Sequence, residues 1–318
     1  MHTSAIKRFW AWPQELSRQG ILGINRRNVQ YLFEFNPRRT YKLVDDKILT
    51  KQLCNDHGIA VPKTYTIIER YGDVRLLAKM IEDHPEFVVK PASGSGGRGV
   101  LVIVGRDGEL LICAKGQRMP FSELRYHVCS TLSGLYSLGG QSDRVIIEER
   151  IVPHSIFEGL SIGGTPDIRI IMYRGYPALA MLRLPTKASR GRANLHQGAV
   201  AAGIDLKTGR TLGGVWYNRA IAIHPDTGLA IGGLTIPYWN QILTIAQDLS
   251  AALKMGYIGI DIVLDIKEGP VVLEANARPG LAVQIANRTG LLKVLAEIDN
   301  RIFTSVESSK SFQETLFC

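Results

Sequence analysis

The chain has 318 residues, 45% hydrophobic and 21% charged, with a mean hydropathy of +0.03, a composition that buries a real core in two or three lobes and excludes a disordered chain. No run of eighteen uncharged apolar residues is present to span a bilayer, and the first twenty residues lack a signal peptide's apolar core and cleavage site. A net charge of +9 fits a solvated basic surface, a polyanionic ligand or nucleic acid; the basic residues cluster at Arg26-Arg27, Arg38-Arg39 and 183–192 rather than forming a stripe with interleaved aromatics. Cys54, Cys113, Cys129 and Cys318 are scattered without a CxxC pair, which argues against a disulfide framework or structural zinc and fits a reducing, cytoplasmic location.

Residues 1–40 read as a basic, aromatic lead-in, one weakly periodic helix followed by an arm. Asp45 or Asp46 is placed to cap a helix carrying Ile48, Leu49, Leu53 and Cys54 on one face, with Gly58 ending it. After the Val61-Pro62 break, residues 64–68 read as a strand, Asp73 as the cap of a helix over Val74, Leu77, Met80 and Ile81, and residues 87–90 as a strand. A glycine loop leads to a hairpin of residues 100–104 and 110–113, turned by Arg106-Asp107-Gly108. Helical patterning resumes near Ser122, residues 145–149 are strand-like, and 167–173 with 177–184 form a hairpin across Arg174-Gly175. The longest amphipathic helix is expected at 239–255, a last hairpin at 257–266 and 271–275, a helix around 291–302, and a flexible polar tail at 306–318. Hairpins mixed with helices predict an α+β protein with antiparallel sheets, not a doubly wound parallel sheet.

Two segments carry chemistry. Lys90-Pro91-Ala92-Ser93-Gly94-Ser95-Gly96-Gly97-Arg98-Gly99 lies between two strands. Its glycines let backbone N–H groups approach a phosphate chain, and Lys90 adds a charge beside it. The lysine precedes the glycines and no helix follows, so this is neither a Walker A loop nor a Rossmann turn; a flexible surface hairpin is the plain alternative. In the last hairpin, a turn centred on Lys267-Glu268 sets Asp261 across from Glu274, with Asn276 two residues on and on the same face. Two carboxylates and an amide oxygen are hard ligands suited to Mg²⁺. Without a cation the two acids would repel; the alternative turns Asp261 to solvent and pairs Glu274 with Arg278. Asp167 and Arg169, at i and i+2, share one side of an apolar strand and suit a ribose and a phosphate, or else a surface cross-strand ion pair. Arg192-Ala193-Asn194 lies in a Gly- and Arg-rich loop able to cover an anionic site, or simply disordered, and His196 is a minor candidate for a general base.

Taken in order, DDKxLTKxL at 45–53, VVKP with GSGGRGV, IIEER, DIR at 167–169, RANLHQG at 192–198, GIDIV and LEANARPGL resemble the ATP-grasp superfamily, most closely its RimK-like α-L-glutamate ligase-like branch, over residues 41–300. The resemblance implies two α+β lobes with mainly antiparallel sheets clasping ATP, the small lobe near 85–150 and the large lobe at 151–305. The family's usual N-terminal α/β domain would be shortened or absent, since about forty residues precede the Asp45 helix. By the same resemblance Lys47 and Lys90 contact ATP phosphates under the loop of Ser95, Gly96 and Gly97. Glu149 and Arg150 form the hinge whose backbone meets adenine, and Asp167 binds nucleotide. Arg192 and Asn194 lie near the reacting phosphate. Beyond the resemblance, Arg169 is expected to join Arg192 in stabilising the transferring phosphoryl group, and Arg278 to suit a carboxylate of an amino-acid substrate. Asp261, Glu274 and Asn276 hold Mg²⁺ or Mn²⁺. The implied reaction joins a small-molecule or peptide carboxylate to an amine, such as glutamate, through an acyl phosphate. A homo-oligomer is compatible with this, and nucleic acid is disfavoured. Ala193 in place of the family's serine, and Arg278 where a small residue is common, depart from the pattern. The rivals are an ATP-grasp enzyme with another acceptor (a phosphotransferase, or a sugar- or cell-surface-linked ligase) and a catalytically silent nucleotide-binding protein.

Overall fold

The computed structural model describes residues 13–94, 96–114 and 116–316. The N-terminal segment runs through α1 (Pro13–Arg18), α2 (Ile24–Arg27), a π-helical turn (Asn28–Leu32), α3 (Phe33–Phe35) and α4 (Tyr41–Asp45). Its described part is laid against the larger lobe: Leu22 and Leu32 are buried, the Asn36 amide donates to the Tyr257 carbonyl at 2.7 Å, and its oxygen accepts from the Tyr257 N–H at 2.9 Å. Gln284 makes a similar two-way clasp on the backbone of Leu22. The apolar residues follow no single period because several short helices change direction to fit one curved surface.

Next comes α5 (Lys47–Asp56), capped by Asp46, whose carboxylate accepts the Ile48 N–H at 3.0 Å. Gly58, with φ at 67°, stands just past its end as expected. The small lobe comprises β1 (Thr64–Ile68), a 3₁₀ turn (Tyr71–Leu76) running into α6 (Leu77–Met80), β2 (Phe87–Pro91), β3 (Leu101–Asp107), β4 (Leu110–Cys113), β5 (Arg118–Met119), α7 (Phe121–Leu132) and β6 (Val145–Glu148). Its antiparallel sheet has the order β1-β6-β2-β3-β4-β5 and buries Phe87, Val89, Ile103, Val145 and Ile147 with α7. Two local expectations shift. Asp73 sits inside the 3₁₀ turn and reaches back to the Arg70 N–H at 3.0 Å, so it is not an N-cap. Asp107 pairs with Leu110, so the β3–β4 turn is Gly108-Glu109, one residue later than expected.

The large lobe contains β7 (Asp167–Tyr173), β8 (Tyr176–Leu184), β9 (Val200–Ile204), β10 (Thr211–Trp216), β11 (Arg219–Ile221), α8 (Trp239–Leu253), β12 (Tyr257–Asp265), β13 (Gly269–Asn276), α9 (Ala282–Asn287) and α10 (Leu291–Leu316). Its antiparallel sheet is ordered β11-β10-β9-β8-β7-β12-β13. The alternation of strand residues sorts its two faces. Ile168, Ile170, Leu182, Ile260 and Ile262 pack with α8 residues, while Ile171, Tyr173, Leu179 and Met181 pack with α9, α10 and the N-terminal segment. By that alternation Asp167, Arg169, Arg183 and Asp261 share the second face. Three strands, β9 to β11, were not foreseen: Ala199, Ala201, Ala202, Gly203, Gly213 and Gly214 leave no period-2 signal to read. Instead of a flexible tail after Ser305, α10 continues to Leu316, as no Gly or Pro interrupts it.

Candidate active site

The hairpin of β12 and β13 places Asp261 opposite Glu274 by a route different from the one expected. The turn pairs Asp265 with Gly269, one residue out of the assumed register, and a β-bulge at Leu273 then restores the Asp261–Glu274 pair. The Asn276 amide lies 3.3 Å from both the Asp261 Oδ2 and the Glu274 Oε1, so the three are brought together.

Repulsion between the acids is relieved by arginines. Arg169, directly across from Asp261 on β7, forks onto both its oxygens at 2.6 and 2.5 Å and stands 3.9 Å from Glu274. Arg183 on β8, opposite Asp167, holds both Asp167 oxygens and also reaches Asp261 Oδ2 at 2.8 Å. The expectation of cross-strand ion pairing for Asp167 and Arg169 therefore holds in partners but not in setting, because Asp167 and Asp261 are buried. Burial pushes Asp261 up, but Arg169 and Arg183 outweigh it and hold its carboxyl well below the usual range. For Asp167 burial prevails over Arg183 and raises the group. Glu274 does not pair with Arg278, which lies 3.8 Å from Asp45 and stacks over the Tyr41 ring at 4.5 Å. The loop bearing Arg278 folds back closely on β12, where a Cβ on Gly259 would meet Pro279 at 2.6 Å, and the Arg27 guanidinium donates to the Pro279 carbonyl at 2.7 Å.

From the small lobe comes a cluster of the opposite sign. Glu148, buried at the end of β6, accepts from Lys51 on α5 and Lys90 on β2, each at 2.5 Å. Burial pushes the Glu148 carboxyl up, yet the two ammonium groups prevail and hold it below its ordinary value. Lys47 donates to the Gly94 carbonyl at 2.5 Å, at the start of the glycine loop. Burial lowers the Lys47 ammonium, and the strongest opposing influence is Glu274 on β13, the strand against which α5 is packed. Asp143 accepts the Ser93 N–H at 3.1 and 3.0 Å and fixes the base of the loop. Gly96 and Gly97 take φ of 64° and 70°, which side chains adopt at a cost, and a Cβ on Gly97 would come within 4.0 Å of Arg192. Ser95 lies outside the described residues.

Other expected residues are differently engaged. The Glu149 N–H bonds the Lys63 carbonyl at 2.8 Å, so it is already used rather than free for a purine. Arg150 turns to Glu86, at 2.9 and 2.6 Å. Asn194 accepts the His196 N–H at 3.0 Å, capping a short 3₁₀ turn, while Arg192 is exposed and reaches Gln197 at 3.4 Å. His196 is exposed beside a cavity of about 200 Å³ lined by Leu195, Val215, Tyr217 and Ile285. Arg183 is not singled out by the sequence, and Lys51 and Glu148 lie in the DDKxLTKxL and IIEER segments without a role assigned to their side chains. Lys51 and Glu148 were visible as charged residues in a helix and a strand otherwise patterned for a core.

Among the described residues no three His, Cys, Asp or Glu side chains gather as a metal site, so a divalent cation would be held by the mixed set. That set fits. Glu274 is one-third exposed and accepts from the Asn276 amide, and turning that amide over presents its oxygen. Asp261, taken up by two arginines, is the least available of the three.

Residues 26–300 match the family described as sugar-transfer associated ATP-grasp. No curated protein matches the chain. Among solved structures it is similar to D-alanine–D-alanine ligase from Bacillus anthracis, at 17% identity over 84% of this chain and 70% of that one, with a TM-score of 0.45. It is similar also to the D-cycloserine synthetase DcsG, at 16% identity over 82% and 72% of the two chains (TM-score 0.44). A RimK domain ATP-grasp protein from Sphaerobacter thermophilus shows 14% identity over 83% and 70% (TM-score 0.45). The ATP-grasp superfamily expected from the motifs is the one found, and the family match is specific within it: this chain belongs to the sugar-transfer associated ATP-grasp family.

Proposed function

We propose that this protein is an ATP-dependent carboxylate–amine ligase working through an acyl phosphate. The observation that carries the reading is that α5, which brings Lys47 to the glycine loop, packs on β13, which carries Glu274 and Asn276, so that a lysine cluster and a carboxylate cluster meet there. Lys47 and Lys90 neutralise phosphate oxygens, and the loop of Gly96 and Gly97 closes over them toward Arg192. Glu274 and Asn276, with Asp261 behind them, would hold Mg²⁺ or Mn²⁺, which supplies charge neutralisation on the phosphates. A carboxylate oxygen of the substrate attacks the γ-phosphorus, the bond to the bridging oxygen breaks, and ADP leaves. Arg169 and Arg192 offset the charge of the transferring group. The amine nitrogen then attacks the acyl carbon, phosphate leaves and the nitrogen releases its proton, giving an amide. Arg278, 58% exposed at the cleft's edge loop, suits the free carboxylate of an amino acid such as glutamate.

The family's description favours a second reading of the acceptor, as a sugar-linked carboxylate or amine. Both versions are tested by incubating the purified chain with MgATP and a panel of carboxylates, amino acids and sugar acids. We expect ADP and phosphate release that needs both co-substrates, with the acceptor read from the product's mass. Glu274→Ala should lower turnover at least about a hundredfold, as loss of an essential electrostatic group does. Undiminished phosphate release in that variant would remove the metal assignment, and no ADP with any pair would remove the ligase reading.

A further inference from the structure

Residues 1–42 hold eight Lys or Arg against two acidic residues, so this short segment carries six of the nine net positive charges, together with two of the four tryptophans. In its described part Arg18, Arg26, Arg38, Arg39 and Lys42 are exposed, and none forms an ion pair among the described residues. Arg27 is the exception, buried against the Pro279 carbonyl. Beside these cations lie exposed apolar side chains: Ile24 at 62%, Val29 at 63% and Phe33 at 69%. Val29 and Phe33 are four apart on the continuous helical stretch, so they rise from one face. The opposite face buries Arg27 and Leu32 on the large lobe. The stretch is thus fixed to the body on one side and presents apolar residues near cations that have no acidic partner among the described residues, Arg26 donating to the Gln30 and Ser17 side chains.

We propose that this outer face docks the protein on an anionic membrane surface, with Val29 and Phe33 entering the headgroup boundary and Arg26, Arg38 and Arg39 meeting lipid phosphates. The charge decides among occupants. A second copy would bring a like-charged face against this one, whereas an anionic bilayer offers both the apolar boundary and the counter-charge. The proposal stands apart from the ligase reading. No described helix is long and apolar enough to cross a membrane, so the attachment is peripheral.

Co-sedimentation of the full chain with phosphatidylcholine vesicles, with and without about one-third phosphatidylglycerol, tests it. Binding is expected only with the anionic lipid and should fade as salt rises. Val29→Ser with Phe33→Ser should weaken it at least about tenfold, and Arg38→Gln with Arg39→Gln about 25-fold, near fivefold per cation. All four side chains are exposed, so thermal unfolding should not move. In Phe33→Trp, brominated lipids should quench the new fluorescence. The idea is overturned by equal binding to neutral vesicles or none to either. It falls equally if random-sequence RNA binds as tightly and without regard to the Val29 and Phe33 changes, or if those changes abolish only self-association.

Discussion

On the small-lobe side Lys51 and Lys90 pair with a single glutamate, Glu148, and Lys47 holds the Gly94 carbonyl nearby; in the large lobe Asp167, Asp261 and Glu274 are threaded by two arginines. One cluster is left with surplus positive charge and the other with surplus negative. Each surplus costs free energy in a partly desolvated setting unless a ligand offsets it. A polyphosphate suits the first and a divalent cation the second, so a metal–nucleotide complex completes both at once. Each cluster is held by a buried ion that two opposite charges share, Glu148 between Lys51 and Lys90 and Arg183 between Asp167 and Asp261.

Removing those central ions should break the two clusters in different ways. The largest effect is expected from Arg183→Met, which leaves Asp167 and Asp261 without the cation they share. Stability should fall by about 3–5 kcal/mol, the cost of an uncompensated buried charge, lowering Tm by about 10 °C. Arg183→Lys should recover only part, because an ammonium cannot fork across both acids. Adding Asp167→Asn to Arg183→Met should restore some of the loss, and an unchanged Tm in the single variant would show that the large-lobe cluster does not depend on its arginine.

A smaller effect, and one with a pH signature, belongs to Glu148. Its folded-state pKa is held below the ordinary value, so its stabilisation is complete above that value and is lost as pH falls through the folded pKa. Glu148→Gln should cost about 1–3 kcal/mol at neutral pH. Urea unfolding curves of wild type and variant should then draw together as pH falls below the ordinary carboxylate range. A gap that stays constant into acid would mean that Glu148 does not act as the anion between the lysines.

The difference between the clusters also explains what could be read in advance. The Asp261–Glu274 pair was reached from hairpin symmetry, yet the actual turn lies elsewhere and a bulge at Leu273 compensates. Bulges insert a residue without a fixed sequence mark, so here the right pair came from an imperfect register. Arg183 was hidden by the same device. The β7–β8 turn pairs Tyr173 with Tyr176, and an unbroken register from there sets Asp167 opposite Leu182. The irregularity between Ile171 and Met172 moves it to Arg183. Lys90 was legible because it adjoins a glycine loop, whereas Lys47 was reached only through the resemblance of the segment at 45–53. The Lys51–Glu148 pair joins residues 97 positions apart and has no local pattern to betray it. The strands β9 to β11 were lost because alanine and glycine carry too little hydropathy contrast to show which face is buried.

The smallest effect tests how the small-lobe cluster is aimed. Asp46 caps the helix that carries both Lys47 and Lys51, and its other oxygen meets Arg144. Asp46→Ala should cost about 1 kcal/mol for the lost cap, a Tm change of about 2–4 °C. Asp46→Asn keeps a capping oxygen but gives up the negative charge facing Arg144, so it should retain most of the stability if the cap is what matters. The two variants separate the cap from the ion pair. If Asn proves as damaging as Ala, the contact with Arg144, itself one-third exposed, holds α5 in place instead. In either case the loss should stay well below that of Arg183→Met, because Asp46 is only partly buried and water can reach a lost partner there, whereas Arg183 is shared by two buried acids.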